Sequence, residues 1–446
     1  MRVSSTRTGA ALRAGVLAVA VSALVGTTVS ACSEAAPKAT QTQTTPVTAG
    51  CAGDAALFAC ARRSTIGPYV PASPGAASGR PLVLGMVNQE NTPAGSYPEL
   101  SQAVQAAVAF VNHDLGGVGG RPVKVEVCNT GFSAEGSTTC AQQFVEAHVP
   151  AVLGGIDVFG NAVDTLARNG IPYLGGIPVS TQSVTDANSF QWSGGTWGAA
   201  VAFAQHAATQ LHAKRVSIVY GEFGSITDSA KVGQAVLARY GVKAQLVPYP
   251  ILATDISSAL AAAATTKPDA IFVLAADAGC KAGFDGLATL GLHAAKYFVG
   301  ACASPAIIDQ LPTAETDGTY FNVEGPITQA HPDADFAFYS AVIHRYGKGL
   351  DPIGAGTVSF RAFMDVYALL RQLADAGKGI TAASLTDLIR RQKDAPSFAG
   401  HPYTCDGRQF PRLRAMCSPQ QVLGQMHDRV LSQVGGWIDV GTISRG

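Results

Sequence analysis

Leu82-Val-Leu-Gly-Met-Val87 leads into Asn88-Gln89-Glu90, then a helix-patterned stretch over 98–114, then Gly116-Gly-Val-Gly-Gly120 and Val123-Lys-Val-Glu-Val-Cys128. The opening run is apolar throughout, as a strand covered on both faces requires. Ala103, Ala106, Ala107, Phe110 and Val111 recur at helical spacing and make one apolar stripe. Val123, Val125 and Val127 alternate with polar residues and read as a second strand. Strand, helix and strand in this order form a βαβ unit, which needs a parallel sheet. A dinucleotide-binding glycine fingerprint follows a strand and opens a helix. This glycine cluster follows a helix and opens a strand, so it is turn chemistry.

The rhythm continues outward from that unit. Helices are predicted over 134–147 and 160–169, with strands over 151–154 and 171–174. A second series begins with a helix over 197–211 and strands over 215–220, 242–247, 270–274 and 296–299. Helices over 227–239, 255–265 and 281–290 separate those strands. Residues 318–323 read as a strand crossing back, and 357–376 and 381–393 as helices. The tail over 422–440 reads as a β-hairpin turning near Val434-Gly-Gly436. Right-handed crossovers wind each series into its own sheet. The fold class is therefore α/β, with two doubly wound parallel-sheet lobes. The expected division is 81–196 with 324–395 for the N-terminal lobe, and 197–323 with 396–446 for the C-terminal one.

Charge and composition narrow the function. Lys plus Arg and Asp plus Glu are both 31, so the chain lacks the basic excess of a nucleic-acid binder. Charged residues are only 14% and hydrophobic ones 47%, enough for large cores. Arg2, Arg7 and Arg13 precede an apolar run over 14–25, too short to span a bilayer comfortably. Val29-Ser30-Ala31-Cys32 then resembles a bacterial lipobox, in which the signal is cleaved before the cysteine and the thiol is lipidated. An ordinary secretory signal with an incidental cysteine is the alternative. Residues 1–31 are expected to be a lipoprotein signal peptide, and 32–80, rich in Thr, Ala, Pro and Gly, a disordered tether.

Eight further cysteines fall into four close pairs: Cys51 and Cys60, Cys128 and Cys140, Cys280 and Cys302, Cys405 and Cys417. An even number in an exported chain reads as disulfides. Eight cysteines allow roughly a hundred pairings; nearest-neighbour pairing is favoured because each pair lies in one local unit. No CxxC, HExxH or paired Cys/His spacing is present, so no metal and no cofactor are expected.

The order of elements resembles the type I periplasmic binding proteins, in particular the branched-chain amino-acid-binding branch that serves ABC importers. Carrying segments are Asn112-His-Asp-Leu-Gly-Gly-Val-Gly-Gly-Arg121-Pro, Pro150-Ala-Val-Leu-Gly-Gly155, Asn169-Gly-Ile-Pro-Tyr173, Arg215-Val-Ser-Ile-Val-Tyr220, Lys267-Pro-Asp-Ala-Ile-Phe272 and Tyr403-Thr-Cys-Asp-Gly407. The resemblance covers residues 82–439. It implies two lobes joined by three crossover strands, with a ligand clamped between them and no enzymatic activity. It also implies a monomer that delivers a small polar solute, an amino acid or a related compound, to an ABC permease and ATPase from a lipid anchor on the extracytoplasmic face of the cell membrane.

Ligands of open parallel sheets sit beyond the carboxyl ends of the strands. The candidate ligand-binding residues are therefore Gln89 and Tyr97 after the first strand, Asp157 and Phe159 after the third, and Ile177 and Ser180 after the fourth. In the second lobe they are Glu222 and Phe223, Asp277, and Cys302. The resemblance implies a carboxylate clamp of backbone N–H groups and hydroxyls at Phe159 and at 177–180. Ser180 keeps a hydroxyl, whereas Phe159 stands where a serine is expected. It also implies a glutamate at Cys302 to pair with a ligand ammonium. Either Asp277 or Glu222 takes over that role, or the ligand carries no ammonium.

Two other readings compete. A ligand-sensing lipoprotein would use the same clamp to signal to a membrane partner. A hydrolase would use Cys302, in Gly300-Ala-Cys-Ala-Ser304, as the nucleophile of an elbow after a strand. A disulfide to Cys280 would abolish that thiolate.

Overall fold

The computed structural model describes residues 50–92, 95–325 and 333–445, apart from the side chain of Asp277. Cys32, the signal peptide and residues 33–49 lie outside the described residues. The first segment is α1 (Asp54–Arg63). Then follow β1 (Leu82–Asn88), α2 (Pro98–Asp114), β2 (Val123–Asn129), α3 (Ala134–Glu146), β3 (Val152–Gly154), α4 (Asn161–Arg168), β4 (Tyr173–Leu174), α5 (Thr181–Thr185) and β5 (Ser189–Phe190). The five strands form one parallel sheet in the order β2-β1-β3-β4-β5.

The second series is α6 (Gly195–Thr209), β6 (Arg215–Glu222), α7 (Gly224–Arg239), β7 (Lys243–Pro250), α8 (Ser257–Ala264), β8 (Ala270–Leu274), α9 (Asp277–Leu290), β9 (Ala295–Phe298), α10 (Pro305–Ile308), α11 (Thr313–Thr316) and β10 (Tyr320–Val323). The chain then returns to the first lobe as α12 (Ala334–Tyr346), α13 (Gly356–Asp375) and α14 (Ala382–Arg390). It ends with β11 (Gln421–His427), β12 (Val430–Ile438) and α15 (Val440–Arg445). The second sheet runs β12-β11-β10-β9-β8-β6-β7, with β11 and β12 antiparallel to their neighbours.

Burial explains why these runs are strands. Ile218 and Tyr220 of β6 join one core with α6 and α7, while Val219 between them joins the opposite core with α8 and α9. Side chains alternate across a strand, so both faces must be apolar when helices cover both. The first sheet is covered in the same way, by α2, α12 and α13 on one face and by α3 and α4 on the other. Strand order reverses between β1 and β3 and between β6 and β8. These are the switch points at which open α/β sheets leave a crevice for ligands.

Three expectations are corrected. The tether does not extend to residue 80. Leu57, Phe58 and Ile66 are buried in the first lobe's core, and the Thr65 N–H and Oγ1 each donate to Asp335 at 2.6 Å. A Pro/Gly/Ser-rich average over the segment hid this short apolar helix face. The C-terminal hairpin turns at Asp428–Arg429, both with positive φ, and not at Val434–Gly436. Two successive residues of that conformation make the turn whose twist suits a hairpin. Gly435 instead sits where β12 bulges between its pairings with Gln421 and Leu423. The third crossing comes later than residue 396, because Phe398, Tyr403 and Cys405 still pack in the first lobe while Phe410 and Met416 pack in the second. Of the tryptophans, Trp192 and Trp197 are core residues, whereas Trp437 is exposed and meets His401 edge-on.

Candidate functional site

The loops beyond the two switch points meet around a chamber of about 250 Å³. Gln89 and Tyr97 reach it from the β1 end, Ile156 and Val158 from β3, and Ile177 and Val179 from β4. The second lobe supplies Phe223 after β6, Ala275 after β8, Ala301 after β9 and Glu324 after β10. Tyr339 of α12 and Arg361 of α13 complete the wall. Asn88 ties the first two loops together: its Oδ1 accepts from the Ile156 N–H at 3.1 Å, and its Nδ2 donates to the Tyr97 carbonyl at 2.8 Å. A shallower, more polar cavity of about 570 Å³ adjoins it, lined by Tyr97, Glu99, Lys281 and Asp285 among others.

Glu324 stands where the three crossings between the lobes meet. Its Oε1 accepts from the Ser193 hydroxyl at 2.8 Å and from the N–H groups of Gly194 and Gly195 at 2.9 and 3.3 Å, all in the first crossing. The same oxygen accepts from Gln421 Nε2 of the third crossing at 2.9 Å. Its Oε2 is buried without a hydrogen-bond partner. Gly195 has φ +53°, and a Cβ there would lie 2.6 Å from the Pro178 carbonyl oxygen, so only glycine brings this N–H to the carboxylate.

Arg361 extends the junction. It donates through Nη1 to the Glu324 carbonyl at 3.1 Å and through Nε to the Ser397 hydroxyl at 2.9 Å. Ser397 in turn donates to Asp365 at 2.6 Å, and the Phe398 N–H donates to the same carboxylate at 2.8 Å. Burial pushes Asp365 up to about 7, against the pull of Arg361.

On loops that belong to none of the crossings, three rings converge. Phe132, next to Gly131 in a turn where both have positive φ, lies 5.4 Å from Phe159. Phe223 of the second lobe lies 5.7 Å from Phe159 and 6.3 Å from Phe132. Beside them Ser225 of the second lobe donates its hydroxyl to the Val179 carbonyl of the first.

Among the residues read from the sequence, the structure brings Gln89, Tyr97, Ile177 and Phe223 to the chamber wall. The others do different work. Asp157 is buried and accepts from the Ser137 hydroxyl at 2.7 Å; burial raises its pKa. Ser180 caps α5 by accepting from the Ser183 N–H and is not among the residues lining the chamber. Phe159 belongs to the ring cluster. Glu222 shares the strand face of Tyr220 but ends β6 exposed, beyond the packed part of the sheet, and is not among the residues lining the chamber. The side chain of Asp277 lies outside the described residues.

Cys302 is fully buried and bonded to Cys280, and the tight turn at 300–303 presents Ala301 and Ala303 to the chamber in its place. Its sulfur is therefore not a nucleophile. The other disulfides also join neighbours: Cys51–Cys60, Cys128–Cys140 and Cys405–Cys417.

Sequence reasoning missed Glu324 and Arg361. Glu324 directly follows a strand and obeys the rule that found Gln89; taking 318–323 as a bare connection hid it. Arg361 betrays itself as a lone charge among Phe360, Phe363 and Met364. Among the described residues no group of His, Cys, Asp and Glu converges as around a metal ion, and no helix is long and apolar enough to cross a membrane.

Comparison with known proteins agrees with this geometry. No curated protein matches the sequence closely enough to count as a relative. Solved structures share the fold at low identity. A leucine-binding protein, LivK, from Thermotoga maritima MSB8 is 15% identical with a TM-score of 0.66, over 81% of this chain and 99% of that one. A possible leucine/isoleucine/valine-binding protein from Rhodopirellula baltica SH 1 is 14% identical with a TM-score of 0.69, over 82% and 98%. LivJ of Streptococcus pneumoniae, a branched-chain amino acid transporter substrate-binding protein solved with isoleucine, is 17% identical with a TM-score of 0.63, over 80% and 99%. The periplasmic binding protein family model matches residues 81–412. With two parallel-sheet lobes, a chamber at their facing switch points and a family match over most of its length, the chain belongs to the periplasmic binding proteins.

Proposed function

We propose that this protein captures a small solute in the interlobe chamber and delivers it to an ABC importer, held to the extracytoplasmic face of the membrane by a lipid on Cys32. The observation that carries the capture is the chamber itself. It is enclosed by loops of both sheets at their switch points, and its walls are apolar with a few polar groups, the usual make-up of a small-molecule site. Its volume of about 250 Å³ suits a ligand of single-metabolite size. The residues expected to clamp an amino-acid carboxylate are not among those lining the chamber: Ser180 caps α5 and Phe159 meets other rings edge-on. An ordinary branched-chain amino acid is therefore not the expected cargo. The four disulfides suit an oxidising compartment outside the cytoplasm.

A thermal-shift screen of amino acids, amides, short-chain acids and amines tests the capture. A ligand at a hundredfold excess over Kd adds roughly 2.7 kcal/mol to the native state, which a melting curve registers. A screen in which no small solute shifts the melting temperature would overturn the reading. Membrane fractionation tests the anchor: Cys32→Ala should release the protein, and its retention would count against lipidation.

A further inference from the structure

We propose that the chamber selects an amine: a small organic cation with an apolar body and no carboxylate, its ammonium held by Glu324. The proposal rests on the reading of the chamber as a solute site and names the chemistry of its cargo.

Among the described residues, Glu324 and Arg361 are the charged ones of the chamber wall. They are not equivalent. Arg361 spends its donors on the Glu324 carbonyl and on Ser397 and Ser418, so its charge is directed into the protein. Glu324 commits Oε1 to four donors and leaves Oε2 buried and unmatched. A buried acceptor without a partner costs about 1–3 kcal/mol, more when charged, and a donor on a ligand recovers that cost.

The charge around it also favours a cation. Asp365 behind the wall and Glu324 in it are the acidic groups near the Arg361 guanidinium, so its charge is already answered within the protein. Among the described residues no lysine or histidine lines the chamber. A ligand carboxylate would instead stand against the Glu324 carboxylate and be repelled by it. The rest of the wall suits the body of such a molecule: Tyr97, Phe132, Phe223 and Tyr339 offer ring surface, which attracts cations as well as hydrocarbon.

A single carbon skeleton with four head groups decides the matter. We would measure melting shifts and calorimetric affinities of the full chain for 3-methylbutylamine, leucine, 3-methylbutanoate and 3-methylbutanol, with phenethylamine and phenylalanine as a larger pair. The amines should bind, and the acid and amino-acid partners should bind at least about tenfold more weakly, the equivalent of about 1.4 kcal/mol. Glu324→Gln keeps an acceptor for the crossing donors and removes the charge; it should weaken amine binding by about tenfold or more, since hydrogen bonds to charged groups are worth about 1.5–3 kcal/mol.

Preference for the acid or amino acid, or amine affinity unchanged in Glu324→Gln, would overturn the proposal while leaving the chamber a solute site. Failure of every head group, amines included, would overturn the proposal, and with an empty solute screen would remove the capture reading too. Should Glu324→Gln not fold, the head-group series on the unaltered protein still decides.

Discussion

The lobes touch in two chemically opposite ways. At the crossings, polar groups from separate segments of chain converge on Glu324 and Arg361, and nearly every donor is matched. At the ring cluster, Phe132, Phe159 and Phe223 meet with no hydrogen bond among the rings. Hydrogen bonds to a buried carboxylate are directional, and leaving one unmade is expensive. Ring contacts are worth about 0.5–1.5 kcal/mol each beyond area burial and tolerate re-formation. The difference says which contact is fixed and which opens. The crossings are expected to act as a pivot, and the rings as a clasp that parts to admit solute. Glu324 belongs to the crossings and to the chamber wall at once, so on that expectation occupancy of the chamber would act on the element about which the lobes turn.

The largest effect should come from emptying the pivot. Glu324→Ala strips the acceptor from Ser193, Gly194, Gly195 and Gln421 together and removes one of the two acidic groups near Arg361. Breaking such a buried charged network costs about 3–5 kcal/mol. Urea unfolding should show that loss, while Phe159→Ala in the clasp should show much less. Equal losses would erase the distinction between pivot and clasp.

Next comes the staple behind the chamber. Cys280 and Cys302 are both fully buried and join α9 to the turn after β9. Replacing both by alanine should cost about 3 kcal/mol, the chain-entropy value for a loop of this size. Peptide mapping without reductant checks the bond itself; free thiols at either position would remove the premise.

A smaller effect is expected at the clasp. Phe223→Ala removes two ring contacts across the lobes and should lower global stability by about 1 kcal/mol. Its signature is shape: small-angle scattering should give a larger radius of gyration for the unliganded variant than for the unaltered protein. An unchanged radius would mean that the rings do not hold the lobes together.

The pivot and the clasp were unequally legible. The parallel strands were readable because a strand covered on both faces must be apolar at every position, as Leu82–Val87 and Ala270–Leu274 are. The disulfides were readable because their cysteines lie close in sequence. The hairpin turn was not, because Asp428 and Arg429 adopt positive φ without glycine while Gly435 and Gly436 looked more like a turn. At the site, position after a strand found Gln89 and Phe223 but does not say which way a side chain points. Cys302 faces away for that reason, Glu222 ends exposed beyond the packed part of its sheet, Asp157 accepts from Ser137, and Ser180 caps α5. The pivot was invisible because its members come from residues near 193, 324, 361, 397 and 421, and only the folded topology brings them together.

The smallest effect, and the one that separates pivot from clasp by pH, lies at His206. It sits on α6, the helix that begins at Gly195, with Nδ1 2.7 Å from the Tyr297 hydroxyl and its ring 4.9 Å from that of Tyr320 on β10. That strand ends beside Glu324. Burial lowers the pKa of His206, because the charged ring would lose water without gaining a carboxylate. The unfolded chain, with an ordinary histidine near 6.5, therefore binds more protons than the native protein in the window just below that value. Stability is fully present above it and falls as the pH drops through it. Asp365, with its pKa raised to about 7, contributes the opposite slope between pH 5 and 8, so the histidine is read from the difference between melting curves: relative to the unaltered protein, His206→Gln should lose less stability as the pH falls. The clasp carries no titrating group among its three rings, so Phe223→Ala should lower the whole curve without changing its slope. Parallel curves for His206→Gln and the unaltered protein would exclude the histidine, and an altered slope in Phe223→Ala would show that the two contacts are coupled.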